Sequence, residues 1–307
     1  MHPALSIIVF TTLSGLGYGL AVVLGLGLLD PAALATKLAH VLALLLVGAG
    51  LVSSTQHLGN PQRAWRALSQ WRSSWLSREG VMAIVTFVPL LYSAWLAVVE
   101  SRYSPLAGVT GSVLSLATVY CTAMIYASLK AVQAWHTRLT PLCYLLFAVA
   151  GGFTLVSFFA FAGDGRTVIL PLLAVLFLVA AWAAKIRWRA HMRAMVPLST
   201  SESATGLGPI GRVRLLERPH VTENYLTREM GFRIARKHAE KLWRLALLAG
   251  GVVPAVLLIV LVVAGASGAF EAFVAGVAVL SHYAGVFIER WLFFAEARHA
   301  VMNYYGG

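Results

Sequence analysis

The sequence predicts an all-α integral membrane protein, a single domain over residues 1–307 built as a bundle of about eight transmembrane helices. Three observations carry that expectation. Of the 307 residues, 59% are hydrophobic and 12% charged, and the mean hydropathy is +0.77; a soluble domain is roughly half apolar and a quarter charged. The apolar residues fall in long continuous runs. Those runs lack the short alternating pattern of a membrane β-barrel, which leaves helices as the structure able to span lipid.

The runs cover 5–28, 38–58, 80–99, 110–134, 141–163, 167–187, 244–265 and 271–297. Each is near the roughly 20 residues a helix needs to cross. The first is too long for a signal-peptide core and lacks a basic start and a small-residue cleavage site, so it is expected to be retained. Its Gly15, Gly17 and Gly19 follow no strand and are expected to allow close helix packing rather than to bind a phosphate. The second run ends on His57, a Gly-Asn-Pro break follows, and Ser53–Glu79 holds four arginines, three tryptophans and a glutamate. Polar groups at a lipid edge cost free energy unless they meet partners, a cavity or a ligand. This segment is therefore where function is expected.

Connections are short except for residues 188–243, read as a long cytoplasmic loop with a basic helix inside it. PLSTSESATGLGPIGR has the composition of a flexible connection. A basic helix is expected from near Thr222, running into the seventh span. It is either a solvated or lipid-facing cationic helix or a dock for a peripheral subunit.

The net charge of +12 is explained by topology, not by nucleic acid. With eight spans both termini share one side of the membrane with the loops after the second, fourth and sixth. Of 24 Lys and Arg, only Lys37, Arg102 and Arg166 fall on the other side, leaving 21 on the first. The asymmetry places the basic side, and both termini, in the cytoplasm; most of these charges also suit anionic headgroups. Cys121 and Cys143 are the two cysteines, too few for the usual four-thiolate zinc or cluster site, and read as small apolar fillers.

Local catalytic and nucleotide-binding signatures are absent from the sequence, so the candidates are single side chains. His57 has Gln56 beside it and either exchanges a proton with a quinone carbonyl or caps a helix end. Glu79, at the start of the third span, either relays protons or complements the helix dipole. Trp65, Trp71 and Trp75 either wall an apolar ring site or form an interfacial belt. A second cluster gathers Tyr120, Tyr126, Lys130, Trp135, His136 and Arg138. A third holds His282, Glu289 and Arg290 in the last span. His282 and Glu289 share a helix face, whereas adjacent Glu289 and Arg290 should each find a partner on another helix. Haem is not expected: His40 and His57 lie at opposite ends of one helix, and His282 has no histidine at its depth.

The run HLGNPQRAWRALSQWRSSWLSREG resembles the membrane-anchor family of dimethyl sulfoxide reductases (DmsC-like). There a His-Leu-Gly-x-Pro segment precedes an arginine and a Ser-x-Glu at this spacing. YCTAMIYASLKAVQAWHTRLTP and FIERWLFFAEARHAVMNYY are similar to later segments of that family. The opening MHPALSIIVFTTLSGLGYGL resembles the branch serving cytoplasmic sulfite:quinone dehydrogenases. The resemblance implies a haem-free, quinone-binding anchor in the bacterial inner membrane. It would hold a molybdopterin catalytic subunit and an iron–sulfur electron-transfer subunit, whose clusters and pterin stay in those partners. The family's quinone-site residues fall on His57 and Glu79. Gln56, Arg63, Trp75, Arg78, Tyr126 and His136 are looser candidates around them. Arg66, Arg72, Arg228, Arg233 and Arg236 are the expected docking cations.

The leading expectation is thus electron transfer from sulfite, through the partners, to ubiquinone or menaquinone; the anchor itself performs no substrate chemistry. The alternative within the family is the anchor of a dimethyl sulfoxide reductase, with flow from quinol. A reading from another class is a proton-coupled transporter using His282, Glu289 and Arg290. A third is an anchor with no quinone contact.

Overall fold

The computed structural model describes residues 2–56, 60–163, 168–197, 199–214, 216–217, 222, 228, 230, 234–265 and 268–305. Among the described residues, eight helices are long and apolar enough to cross a membrane: α1 (Leu5–Leu24), α2 (Leu34–Thr55), α3 (Trp75–Glu100), α4 (Pro105–Ala127), α5 (Leu139–Ala162), α6 (Ile169–Ala194), α7 and α8 (Ala269–Ala295). α7 has two halves, Ile234–Leu247 and Val253–Ala264, joined by a π-helical turn at Leu248–Val252. The described residues contain no strand. The fold is the all-α membrane bundle expected from the apolar runs.

Several boundaries move for local reasons. α1 stops at Leu24, before Gly27 turns the backbone at φ 66°. α3 starts at Trp75, because Ser74 caps it by accepting from the Ser77 N–H at 3.4 Å. α4 starts at Pro105 behind the Ser104 cap and ends at Ala127. The expected end at 134 is therefore corrected: Lys130, Trp135 and His136 lie in the connection to α5. α6 continues to Ala194, past the expected 187. Arg187, Arg189 and Arg193 extend it beyond the apolar part, since straight-chain cations are good helix formers.

α1 and α5 are the most enclosed of the eight helices, and glycine is what lets them meet. A Cβ on Gly19 would sit 1.8 Å from the carbonyl oxygen of Ala148, and one on Gly17 would sit 2.7 Å from the Val47 backbone nitrogen. The packing role expected for these glycines is met at both, but not at Gly15, which has nothing within 4 Å. Gly19→Val should force α1 and α5 apart at a cost of about 1–3 kcal/mol or more. The check is a fall in folded protein recovered from membranes and in its thermal stability; wild-type behaviour would contradict the packing account.

The basic side is closed by aromatic and ionic contacts. Tyr126, Trp135, Tyr144, Phe293 and Phe294 form one aromatic cluster with paired centroids 5.2–5.9 Å apart. The Trp135 indole donates to the Phe293 carbonyl at 2.9 Å. Arg189 of α6 reaches Glu240 of α7 at 2.9 Å and Glu296 beyond α8 at 3.3 Å, and its guanidinium lies over Trp243. Arg193 also pairs with Glu240. α7 is thereby clamped to the bundle before it enters the apolar layer.

Candidate functional site

The site grows out of the way residues 60–74 fold back onto the start of α3. Pro61–Gln70 forms a 3-10 stretch, with its proline at the first turn where a missing N–H is harmless. The Ser77 hydroxyl donates to the Ala67 carbonyl. Leu68 packs so closely against Gly80 that a Cβ there would lie 2.8 Å away. Arg78 finishes the clasp: Nε donates to the Trp71 carbonyl at 3.0 Å, Nη2 to the Arg72 carbonyl at 2.7 Å, and the guanidinium stacks over Trp75 at 4.3 Å.

That clasp leaves Glu79 turned inward, buried at 6% exposure in the second turn of α3. The first turn is Trp75–Arg78 and holds no acid, so Glu79 does not serve as the dipole complement the sequence allowed. It receives a hydrogen bond from the Thr122 hydroxyl of α4. Among the described residues no cation pairs with it. Tyr18 of α1, Cys121 and Tyr126 of α4 and Tyr144 of α5 lie within reach of its charge. On the outer side Trp75 meets Tyr120 edge-on at 5.9 Å. A buried carboxyl with one hydroxyl partner and aromatic rings beside it can hold a proton and give it up to a group that comes within hydrogen-bond reach.

The other expected residues divide by place. His57 lies outside the described residues; Gln56, exposed, caps the end of α2. Trp75 and Glu79 are brought to the α3–α4 contact, whereas Arg78 is held in the clasp and Tyr126 is sunk in the aromatic cluster. His136 is exposed and its Nδ1 is 2.6 Å from the Ala127 carbonyl, closing the end of α4. Arg63, Arg66 and Arg72 are exposed; the last two lie over Trp65 and Trp71 at 5.5 and 5.4 Å. Arg228 is exposed. Arg233 lies outside the described residues, and of Arg236 only the helical backbone is described.

A second polar centre sits between α5, α6 and α8. Lys185 Nζ is 2.6 Å from Glu289 Oε1, the partner on another helix that Glu289 was expected to need. Arg290 departs from expectation. Its Nη1 reaches back to 3.5 Å from Glu289 Oε2 while the guanidinium covers Tyr144 at 3.7 Å. An arginine is long enough to bend around its own backbone, which the separation of adjacent Cβ atoms does not forbid. His282 Nδ1 lies 2.7 Å from the Gly250 carbonyl, and the Ser281 hydroxyl donates to the Ala249 carbonyl at 2.7 Å. Both occupy carbonyls of the π-helical turn, where the regular ladder is interrupted. Sequence reasoning named neither Lys185 nor Thr122. The lysine could have been found as the first cation to interrupt the apolar run of α6, in AAWAAKIRW, but nothing in the sequence distinguishes Thr122 from its neighbours.

Among the described residues no group of three or more His, Cys, Asp or Glu side chains is arranged to hold a metal ion.

Eight spans, a buried carboxyl near the basic side and a basic, tryptophan-bearing edge define a polytopic membrane protein with a candidate site at one membrane surface. The sequence profile of the DMSO reductase anchor subunit (DmsC) family matches residues 1–295, and the protein belongs to that family. It is similar to a sulfite dehydrogenase subunit of Allochromatium vinosum, at 34% identity over 99% of both proteins. It is also similar to a subunit of the anaerobic dimethyl sulfoxide reductase of Escherichia coli, at 28% identity over 61% of this protein and 69% of that one. No solved structure matches.

Proposed function

We propose that this protein is the quinone-reactive anchor of a molybdopterin/iron–sulfur oxidoreductase in a bacterial inner membrane, passing electrons between an iron–sulfur partner and the quinone pool. Glu79 carries the proposal: a carboxyl buried in the membrane bundle, lacking a cation among the described residues, and set behind aromatic rings on the basic side. The residues fit a quinone head. Trp75 and Tyr120 offer ring faces and edges, and Glu79 with Thr122 offers a proton and a hydroxyl to ring oxygens. When bound, a quinone supplies a two-electron, two-proton couple. Glu79 would hold the proton exchanged with it, and His57, which lies outside the described residues, is the second residue that the family resemblance assigns to the quinone. Arg66 and Arg72, exposed over their tryptophans, would meet acidic groups of the partner on the cytoplasmic side.

Sulfite is the favoured ultimate donor, because full-length similarity is to a sulfite dehydrogenase subunit, whereas the similarity to a dimethyl sulfoxide reductase subunit is lower and partial. The transporter reading has less support: His282, Glu289 and Arg290 are 1%, 0% and 3% exposed and meet the π-helical turn, Lys185 and Tyr144.

His57→Ala tests the proposal. In the assembled complex it should abolish quinone-linked turnover while leaving artificial-dye turnover by the catalytic partner intact. Unchanged quinone-linked turnover would sink the assignment of His57.

A further inference from the structure

A file of hydroxyl side chains runs through the contact between α3 and α4. On α3, Glu79, Thr86 and Ser93 recur every seven residues and share one face. On α4, Thr122, Thr118, Ser115 and Ser112 recur every three or four. The two sets meet at two levels, Glu79 with Thr122 and Thr86 with Thr118. Thr122 donates to Glu79; Thr86 and Thr118 lie hydroxyl to hydroxyl at 2.9 Å; Ser112 donates to the Val22 carbonyl at 2.9 Å. Ser93 and Ser115 are different: among the described residues their buried hydroxyls have no hydrogen-bond partner. Between Thr86 and Ser93, Pro89 lies inside α3 and removes one helix hydrogen bond.

The file ends in an opening. On the side of the membrane away from Glu79, a cleft of about 620 Å³, mouth included, lies between α1, α2, α3 and the start of α4. Ser93 lines it together with Thr36, His40, Arg102 and Tyr103. From Glu79 to Ser93 the rise along α3 is about 21 Å, most of a hydrocarbon core of about 30 Å.

Packing alone does not account for this arrangement. Hydroxyls that serve helix contacts in lipid bond their own backbone or a neighbouring helix, as Thr86 and Thr118 do with the Met82 and Leu114 carbonyls. Ser93 and Ser115 do neither, at a cost that burial makes real. A hydroxyl both donates and accepts and rotates freely between partners, the property a proton file requires.

We propose that the α3–α4 seam conducts protons between the far-side cleft and Glu79, so that the proton exchanged at the quinone site crosses most of the bilayer. The inference rests on the quinone reading. Each two-electron reduction, with electrons from the partner's reduced iron–sulfur centre, takes up two protons. For each, a proton would enter at the cleft and pass along the hydroxyls, with water bridging the turns at Ser93 and Ser115 and one O–H bond broken and one formed at each member of the chain; Glu79 would give its carboxyl proton to a quinone oxygen and regain one through Thr122. Quinol oxidation runs the same file in reverse and releases protons into the cleft.

The test uses the purified complex in proteoliposomes with the catalytic subunits outward, a pH dye trapped inside, a potassium ionophore to collapse the potential, and ubiquinone in the bilayer. A membrane-impermeant reduced viologen, which carries no protons, supplies electrons. The lumen should turn alkaline in step with quinone reduction. Thr86→Val should remove that signal and Thr86→Ser should keep it. Should Thr86→Val fail to assemble, Ser93→Ala takes its place and should also remove the signal. Quinone reduction with proton uptake from the outside alone, or a lumen signal in Thr86→Val equal to wild type, overturns the inference and leaves the quinone reading standing. Failure of the wild-type complex to reduce quinone overturns both.

Discussion

Glu79→Gln should cut quinone-linked turnover of the assembled complex by about 10²–10⁴-fold, the usual worth of a positioned acid or base, with dye-linked turnover unchanged. The substitution is nearly isosteric. A glutamine oxygen still accepts from Thr122, so the α3–α4 contact and the clasp of Arg78 on Trp71, Arg72 and Trp75 should survive. What it removes is the ability to carry a proton. The measurement is the ratio of quinone-linked to dye-linked rate, which cancels losses of assembly. A ratio equal to wild type would mean that Glu79 is a buried packing residue and that the proton moves elsewhere. Glu79→Asp makes the complementary comparison: it keeps the proton but shortens the reach by one methylene, and should fall between wild type and Glu79→Gln.

The eight spans were legible because each is a long apolar run and lipid permits no other element. Their ends were less so. Polar residues at a membrane edge belong to helix or loop according to capping, and Ser74 and Ser104 look like any loop serine until their oxygens meet the N–H groups of Ser77 and Ala107. That displacement of α3 by one turn matters most. It moves Glu79 from the mouth of the helix, where an acid is unremarkable, to an inward, buried position where its partner is Thr122 of α4.

What pairs with what across helices was beyond the sequence, because hydropathy fixes a helix's depth and not its rotation or neighbours. The need of Glu289 for a partner could be deduced; that Lys185 meets it could not. The π-helical turn was half visible. Gly250, Gly251 and Pro254 mark a weak stretch, yet only the fold shows His282 and Ser281 bonding carbonyls within it. The family signature supplied His57 and Glu79 where physics alone had left each with a bland alternative.

Glu289→Met should destabilise the protein by about 3–5 kcal/mol, the cost of breaking a buried ion pair from one side, and Lys185→Met should cost far less. The asymmetry follows from counting charges. Glu289 lies between two cations, Lys185 at 2.6 Å and Arg290 at 3.5 Å, all three buried. Removing the lysine leaves Glu289 and Arg290 as a neutral pair, with methionine filling a similar volume against Trp188 and Phe293, the rings Lys185 now covers at 3.6 and 5.1 Å. Removing the glutamate leaves two buried cations facing each other, with only aromatic faces to offset them, and ring faces contribute about 0.5–2 kcal/mol each. The double variant should then be no worse than Glu289→Met alone and should recover part of its loss, because one of the two stranded cations is gone. Thermal stability of the detergent-solubilised complex, with all three variants measured side by side, is the check. Equal losses in the two single variants would show that charge balance does not govern this centre, and that α6 and α8 are held together by the packing of Trp188 and Phe293 instead.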